Sequence, residues 1–250
     1  MKIVKKRLIG IIATLLAFAL AAFPQNASDN SHQRGAKAWM SKPTPYLAWN
    51  KDVPPELRQE RDIVWDEASM SPVPLTEEGS ARVVGGSIDL TADPLEISSV
   101  PGRVVATASF TASRSVLSVS GRSLYSEVTL HVDKVYENIS GPDRLRPNSD
   151  ITLILYGGAV YLKDGRVLTV DNPDAQRDTF IQPGGTYLFV LRYYKAGRFF
   201  GYCDSWDIST GFVRAISPRA EYFVQSGHSA LNGITVQQLD AVLAKLLYAH

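Results

Sequence analysis

A mainly β domain is what the 250-residue sequence predicts: a small antiparallel barrel, closed by a C-terminal helix and preceded by a proline- and tryptophan-rich arm. Three observations predict it. From Val104 onward, β-branched and aromatic residues recur at period two between clusters of Gly, Pro, Asn and Asp. After Ile234 the apolar period becomes that of a helix. Nine of the 14 prolines fall between Pro24 and Pro101, which breaks that stretch into pieces too short for regular elements.

The strands follow in series: Val104 to Phe110, Tyr125 to Tyr136, Ile151 to Tyr156, Ala159 to Leu162 with Arg166 to Val170, Thr186 to Tyr194, Arg198 to Asp204, and Phe212 to Ile216. Lys163-Asp164-Gly165 reads as a hairpin turn, because Asp-Gly accepts the positive φ that tight hairpins require. Lys195-Ala196-Gly197 reads as a second. In the second strand Leu124, Val128, Leu130 and Val132 share one face, while Glu127, Thr129, His131 and Asp133 share the other, so one face is expected in the core and one in water. Thr186 to Tyr194 is apolar on both faces, so something must cover its second face. The closing helix and the arm are the segments with enough apolar surface to cover it.

The closing helix carries the clearest signals. Thr235 is an N-cap with Gln238 three residues on, Ile234 and Leu239 are spaced as a hydrophobic staple, and Leu239, Val242, Leu243, Leu246 and Leu247 form one stripe. Within the arm, Pro55 to Ala68 predicts a short helix with proline at its first position. Three of the four tryptophans, Trp39, Trp49 and Trp65, lie in the arm, which marks it as a segment that docks, since disordered linkers are poor in aromatics.

The chain begins with Lys2, Lys5, Lys6 and Arg7, followed by Leu8 to Phe23 without a charge. This is the pattern of a secretory signal with cleavage expected between Ala21 and Ala27; an uncleaved anchor is disfavoured because the apolar run is shorter than the roughly 20 residues a bilayer requires. The expected division is 1–22 signal peptide, 23–100 arm, 101–217 barrel, and 218–250 loop with the final helix. Removing the leader changes the net charge from +1 to −3, with 22 cationic against 25 anionic side chains. That balance and export argue against nucleic acid as a partner. The single Cys203 cannot form an internal disulfide, so the core alone must hold the exported domain, with Cys203 itself expected as a buried apolar thiol. No membrane association beyond the signal peptide is expected.

The runs VVATASF, SLYSEVTLHVDKVYEN, ITLILYGG and PGGTYLFVL, spanning Val104 to Leu191, resemble the secreted barrels of the netrin-like OB-fold type, as found in exported bacterial proteins of unknown role. The resemblance implies a small OB-like barrel. It implies no chemistry, and the Cys-x-Cys wedge by which related metalloprotease inhibitors chelate the protease metal has no counterpart in this chain, so inhibition does not carry over.

Motifs that could carry catalysis fail on inspection. Gly227-His228-Ser229-Ala230-Leu231-Asn232-Gly233 echoes a nucleophile elbow, but Leu231 stands where the second glycine belongs and too little chain follows to supply an acid and a histidine. His32, His131, His228 and His250 match no metal spacing; His131 with Asp133 reads as a solvated pair. Arg58, Arg61, Asp62, Asp66 and Glu67 on the arm helix read as ordinary helix pairing. No catalytic residue, metal or cofactor is expected.

One surface stands out. Arg192, Tyr193, Tyr194, Arg198, Phe200, Tyr202 and Trp206 interleave cations with aromatics on and beside one hairpin, a composition suited to stacking on a ligand. The expectation is a non-catalytic binding or structural protein, secreted or periplasmic, that meets a protein or cell-envelope polysaccharide at this hairpin or at the Tyr125 to Asp133 face. Two alternatives stand beside it: a secreted hydrolase acting through Asp204, Trp206 and Asp207, and a component of a larger envelope assembly docked through the arm.

Overall fold

The computed structural model describes residues 39–40, 42–45, 53–68, 80–81, 103–121, 123–139, 145–170, 181–225 and 229–248. Residues 1–22, expected as a signal peptide, Trp49 and the side chain of Trp65 lie outside the described residues. Among the described residues the elements follow in order: β1 (Thr44–Pro45), α1 (Pro55–Ala68), β2 (Ser80–Ala81), β3 (Arg103–Leu117), β4 (Leu124–Asn138), β5 (Asp150–Tyr156), β6 (Gly158–Tyr161), β7 (Val167–Val170), β8 (Thr186–Tyr194), β9 (Phe199–Asp207), β10 (Arg214–Ala215), α2 (Pro218–Gln225) and α3 (Val236–Tyr248). The molecule is mainly β, with antiparallel sheets and a C-terminal helix.

The larger sheet runs β10-β9-β5-β4-β3-β8, and β8 also pairs with β9. Its pairs are antiparallel except β5 with β9, which run parallel through Leu153↔Phe200 and Ile154↔Gly201. The smaller sheet, β1-β6-β7-β2, is a hairpin flanked on each side by a two-residue strand from the arm in parallel pairing. The arm therefore contributes strands as well as its helix, which its prolines had not suggested.

Period-two alternation sorts side chains into two cores across the same strands. On one face, Ala106, Phe110, Leu130, Leu153, Phe189 and Leu191 belong to the larger cluster. Trp39 and Met40 of the arm pack on it: the Trp39 ring meets Phe110 edge-on at 5.0 Å, and its Nε1–H donates to the Ile181 carbonyl at 3.1 Å. On the other face, Val105, Leu188, Val190 and Trp206 lie against Leu239 and Leu243 of α3 and Ala220 of α2. One apolar face of β8 belongs to the larger cluster, on whose Phe110 Trp39 packs, and the second face is covered by the C-terminal helices.

α3 begins as its sequence requires. The Gln238 side-chain oxygen accepts from the Thr235 backbone N–H at 3.0 Å and from the Thr235 hydroxyl at 3.1 Å, which completes the reciprocal half of a capping box. Leu239 and Leu243 are buried.

Four expectations need correction. The strand expected to stop at Phe110 continues to Leu117, and with β4 it forms a ribbon closed by a tight turn in which the Ser118 N–H donates to the Ser123 carbonyl at 2.8 Å. Its serine-rich continuation lacks the apolar alternation that marks a strand. The expected Phe212 to Ile216 strand shrinks to Arg214–Ala215 plus one bridge between Phe212 and Thr235. α2 occupies part of the expected loop: the Ser217 hydroxyl accepts from the Ala220 N–H at 3.0 Å, and Pro218 fills the first helical position. In the second hairpin turn the left-handed residue is Arg198, with φ of 50°, and not Gly197. Gly197 answers a space constraint instead, since a Cβ there would lie 2.7 Å from the Phe199 ring.

Candidate functional site

The hairpin β8–β9 is a rigid presentation of rings. Its register sets Tyr194 opposite Phe199, Tyr193 opposite Phe200 and Arg192 opposite Gly201. Tyr194 and Phe199 stack at 4.8 Å with planes 8° apart, and the Arg192 guanidinium lies 5.3 Å from the Tyr194 ring centroid, within cation–π range. Gly201 makes room for this arrangement, because a Cβ there would lie 2.7 Å from the Tyr194 ring.

Burial separates the seven predicted residues. Arg192 and Arg198 are exposed, and Tyr193, Tyr194 and Tyr202 are half-buried. Tyr193 packs on Phe200 at 5.0 Å, and the Tyr202 hydroxyl shares a hydrogen bond with Ser205 at 2.6 Å. Phe200 and Trp206 are 3% and 2% exposed, so both rings belong to the core and have no face to offer a ligand. On the outer face of β8, Leu188 and Val190 lie under the C-terminal helices while Tyr194 packs with Tyr125 and Phe199. Arg192 is the exposed position between them.

The carboxylates of β9 do not converge. Asp204 pairs with Val190 and Asp207 with Tyr187, and strand alternation then points them to opposite faces. Asp204 is fully buried, accepting from the Ser217 hydroxyl and from the Ser205 N–H. Asp207 accepts from the Ser209 N–H at 2.9 Å and pairs with Arg214 at 3.0 Å. Two carboxylates on opposite sides of one strand cannot flank a common bond.

The face expected to be wet on β4 is closed at Tyr125 and Glu127, which are 0% and 4% exposed, because α1 lies against it. Three guanidinium groups meet two carboxylates there. Glu127 Oε1 accepts from Arg61 Nη1 at 2.7 Å, and Arg58 Nη1 stands 3.5 Å from the same oxygen. Glu127 Oε2 accepts from Arg114 Nε and pairs with its Nη2, each at 2.8 Å. Asp62 accepts from the Tyr125 hydroxyl and from the Val119 N–H, both at 2.9 Å, and lies 3.6 Å from Arg58 Nε. Arg61 Nε reaches across to the Gly197 carbonyl at 2.9 Å, tying α1 to the tip of the aromatic hairpin.

Burial pushes the Arg58 guanidinium below its ordinary value, against the opposing pull of Tyr125, Glu127 and Asp62. Burial pushes the Tyr125 phenol well above its ordinary value, and its hydrogen bond to Asp62 adds to this. Both Glu127 oxygens already receive guanidinium donors, so the cluster is suited to recognition and docking and not to proton transfer. In the sequence Arg58, Arg61 and Asp62 read as ordinary pairing within the helix, whereas the structure turns them onto the sheet. The available signal was their i, i+3, i+4 spacing, which puts all three on one face of α1.

Elsewhere, His131 Nδ1 meets Asp150 at 2.8 Å, directly across the β4–β5 pair, and not Asp133, which accepts from Ser109. Among the described residues no three His, Cys, Asp or Glu side chains gather as a metal site would require. Cys203 is half-buried against the C-terminal cluster. In the Gly227 to Gly233 motif, Gly227 and His228 lie outside the described residues, Leu231 is buried, and Asn232 accepts from the Ala215 N–H at 3.1 Å. No helix among the described residues is long and apolar enough to cross a membrane. Compared with known proteins, the chain matches no family model and no curated sequence.

Proposed function

We propose that the chain is an exported, non-catalytic binding protein that engages a protein or a cell-envelope polysaccharide through hairpin β8–β9. The observation that carries this reading is the Arg192–Tyr194 pair, a cation held on the face of a stacked aromatic at an uncovered strip of the sheet, with Arg198 exposed at the adjoining turn. A preordered amphipathic ring beside an arginine binds with little entropy cost, whether the ligand offers a sugar face or a peptide. The basic, then apolar, leader supports export to the periplasm or beyond.

The same proposal includes the fold type, an OB-like barrel of netrin-like kind. In its support, β3 pairs with β4, β4 with β5, β5 with β9, β9 with β8, and β8 again with β3, so five strands form a cycle of pairings. That order, with its parallel pair, is a Greek-key order and not a simple meander.

The test is a binding screen of the chain, without residues 1–22, against immobilised envelope polysaccharides and envelope protein extracts, repeated with Arg192→Ala combined with Arg198→Ala. The ligand should bind at least about tenfold more weakly to the double variant, a loss of ~1.4 kcal/mol, with an unchanged melting temperature. Undiminished binding by a folded double variant would remove the hairpin from the function.

A further inference from the structure

The cluster beneath α1 has the form of a receptor with its ligand in place. The sheet supplies a carboxylate, Glu127, whose second oxygen Arg114 holds, and an aromatic face, Tyr125, with the Arg58 guanidinium 5.4 Å from its ring centroid; the β8–β9 turn supplies a carbonyl, that of Gly197. The helix supplies two arginines one turn apart. We propose that α1 is the internal occupant of an arginine-recognition site, and that the site's external partner is a helical polypeptide presenting two arginines at i and i+3. The proposal rests on the binding reading above and narrows the ligand class from protein or polysaccharide to polypeptide.

Three features favour a displaceable occupant. The side chains that α1 buries, among those described, are Arg58, Arg61 and Asp62, and all are charged. Buried ion pairs roughly break even against desolvation, so they specify where the helix sits far more than they hold it there. A helix attached in this way opens before the sheet does. The second feature is selectivity. Arg61 uses two donors in different directions, Nη1 to Glu127 and Nε to the Gly197 carbonyl, and a lysine ammonium cannot span both. The third is continuity: Tyr125 packs in one cluster with Phe199 and Tyr194, so displacing α1 would extend the exposed strip at Arg192 into one surface that carries rings and a carboxylate.

The experiment uses the full chain carrying Arg58→Ala and Arg61→Ala, and as probe a fluorescent synthetic peptide of residues 53–68. The variant should capture the peptide at least about tenfold more tightly than the parent chain does, since the internal competitor is weakened. Adding Glu127→Gln to the variant, or Arg61→Lys to the peptide, should return capture to the parent level. Capture no better than the parent's by a folded double variant overturns the proposal, as does capture indifferent to Glu127→Gln. Should the double variant fail to fold, hydrogen exchange on the parent decides: α1 amides should exchange at least about tenfold faster than those of β4, and equal protection overturns the proposal. Peptide capture without any effect of Arg192→Ala and Arg198→Ala in the ligand screen would defeat the hairpin reading alone, whereas the opposite pattern would defeat the α1 proposal alone.

Discussion

Among the described residues helices cover the larger sheet at two places, and the described side chains of the two covers are of opposite chemistry. α2 and α3 lay Ala220, Leu239 and Leu243 on Val105, Leu188, Val190 and Trp206. α1 lays Arg58, Arg61 and Asp62 on Tyr125 and Glu127. Apolar burial stabilises in proportion to area, about 25 cal/mol per Å², and is nearly indifferent to orientation. Buried charges contribute little net stability but tolerate only one register. The C-terminal cover is therefore expected to hold the domain together, and the N-terminal cover to determine which helix rests on Glu127.

Truncation separates the two most strongly. Leu243→Ala leaves a cavity at a position that is 0% exposed, and should lower unfolding stability by about 2–5 kcal/mol, read as a reduced urea midpoint with an unchanged slope. Glu127→Ala removes a carboxylate shared by three guanidinium groups, yet the loss should stay at about 1–2 kcal/mol. That is below the ~3–5 kcal/mol typical of a broken buried pair, because α1 can leave and rehydrate its arginines while the sheet stays folded. Faster proteolysis around residues 53–68 with little change in the urea midpoint is the expected signature. If Glu127→Ala instead unfolds the domain as Leu243→Ala does, the two covers are equivalent and the contrast fails.

The same contrast explains what was legible in the sequence. α3 could be read because its capping box and leucine stripe are local signals, complete within a few residues of Thr235. The second apolar face of β8 could be read as needing a cover, and the C-terminal helices supply it. The charged cover could not be read, because nothing near Glu127 in the chain announces that Arg61, 66 residues earlier, returns to bury it. A polar residue on the alternate face of a strand looks the same whether it meets water or a guanidinium. Phe200 and Trp206 show the converse: aromatics on a hairpin look like a ligand platform until packing consumes them. The extension of β3 through Thr111 to Leu117 was hidden by its small polar residues, which are held by pairing with β4 and not by an apolar face of their own.

Alkali probes the charged cover through Tyr125. Tyr125 is held neutral in the folded chain, with its phenol raised above the ordinary value of 10.0 by burial, and Tyr136 is raised likewise by burial and by its bond to Asp240. A group with a raised folded value contributes stability that is complete below its unfolded value and is lost as pH rises from there toward the folded value. Stability should thus fall above about pH 10, by ~1.4 kcal/mol per pH unit for the buried Tyr125 and by less for the half-exposed Tyr136, which solvent screens, and Tyr125→Phe should flatten the slope. An unaltered slope in that variant would mean that Tyr125 is not the group being titrated.

The smallest effect lies at the edge of the apolar cover, where Asp240 of α3 accepts from Lys134 Nζ at 2.7 Å and from the Tyr136 hydroxyl at 2.8 Å. These bonds hold the Asp240 carboxyl below its ordinary value of 3.8. The sign is opposite to that of the phenols: the contribution is present above the unfolded value and disappears as pH falls through the folded one. The Asp240 side chain is 61% exposed and the Lys134 side chain 49%, so water and salt screen the pair, and Asp240→Asn should cost no more than about 1 kcal/mol at pH 7 and less at pH 2. Urea titrations at the two pH values check it. A larger loss at pH 7 would show that α3 relies on this polar rim as well as on its leucines, and would bring the C-terminal cover closer in kind to the arginine-bearing one across the sheet.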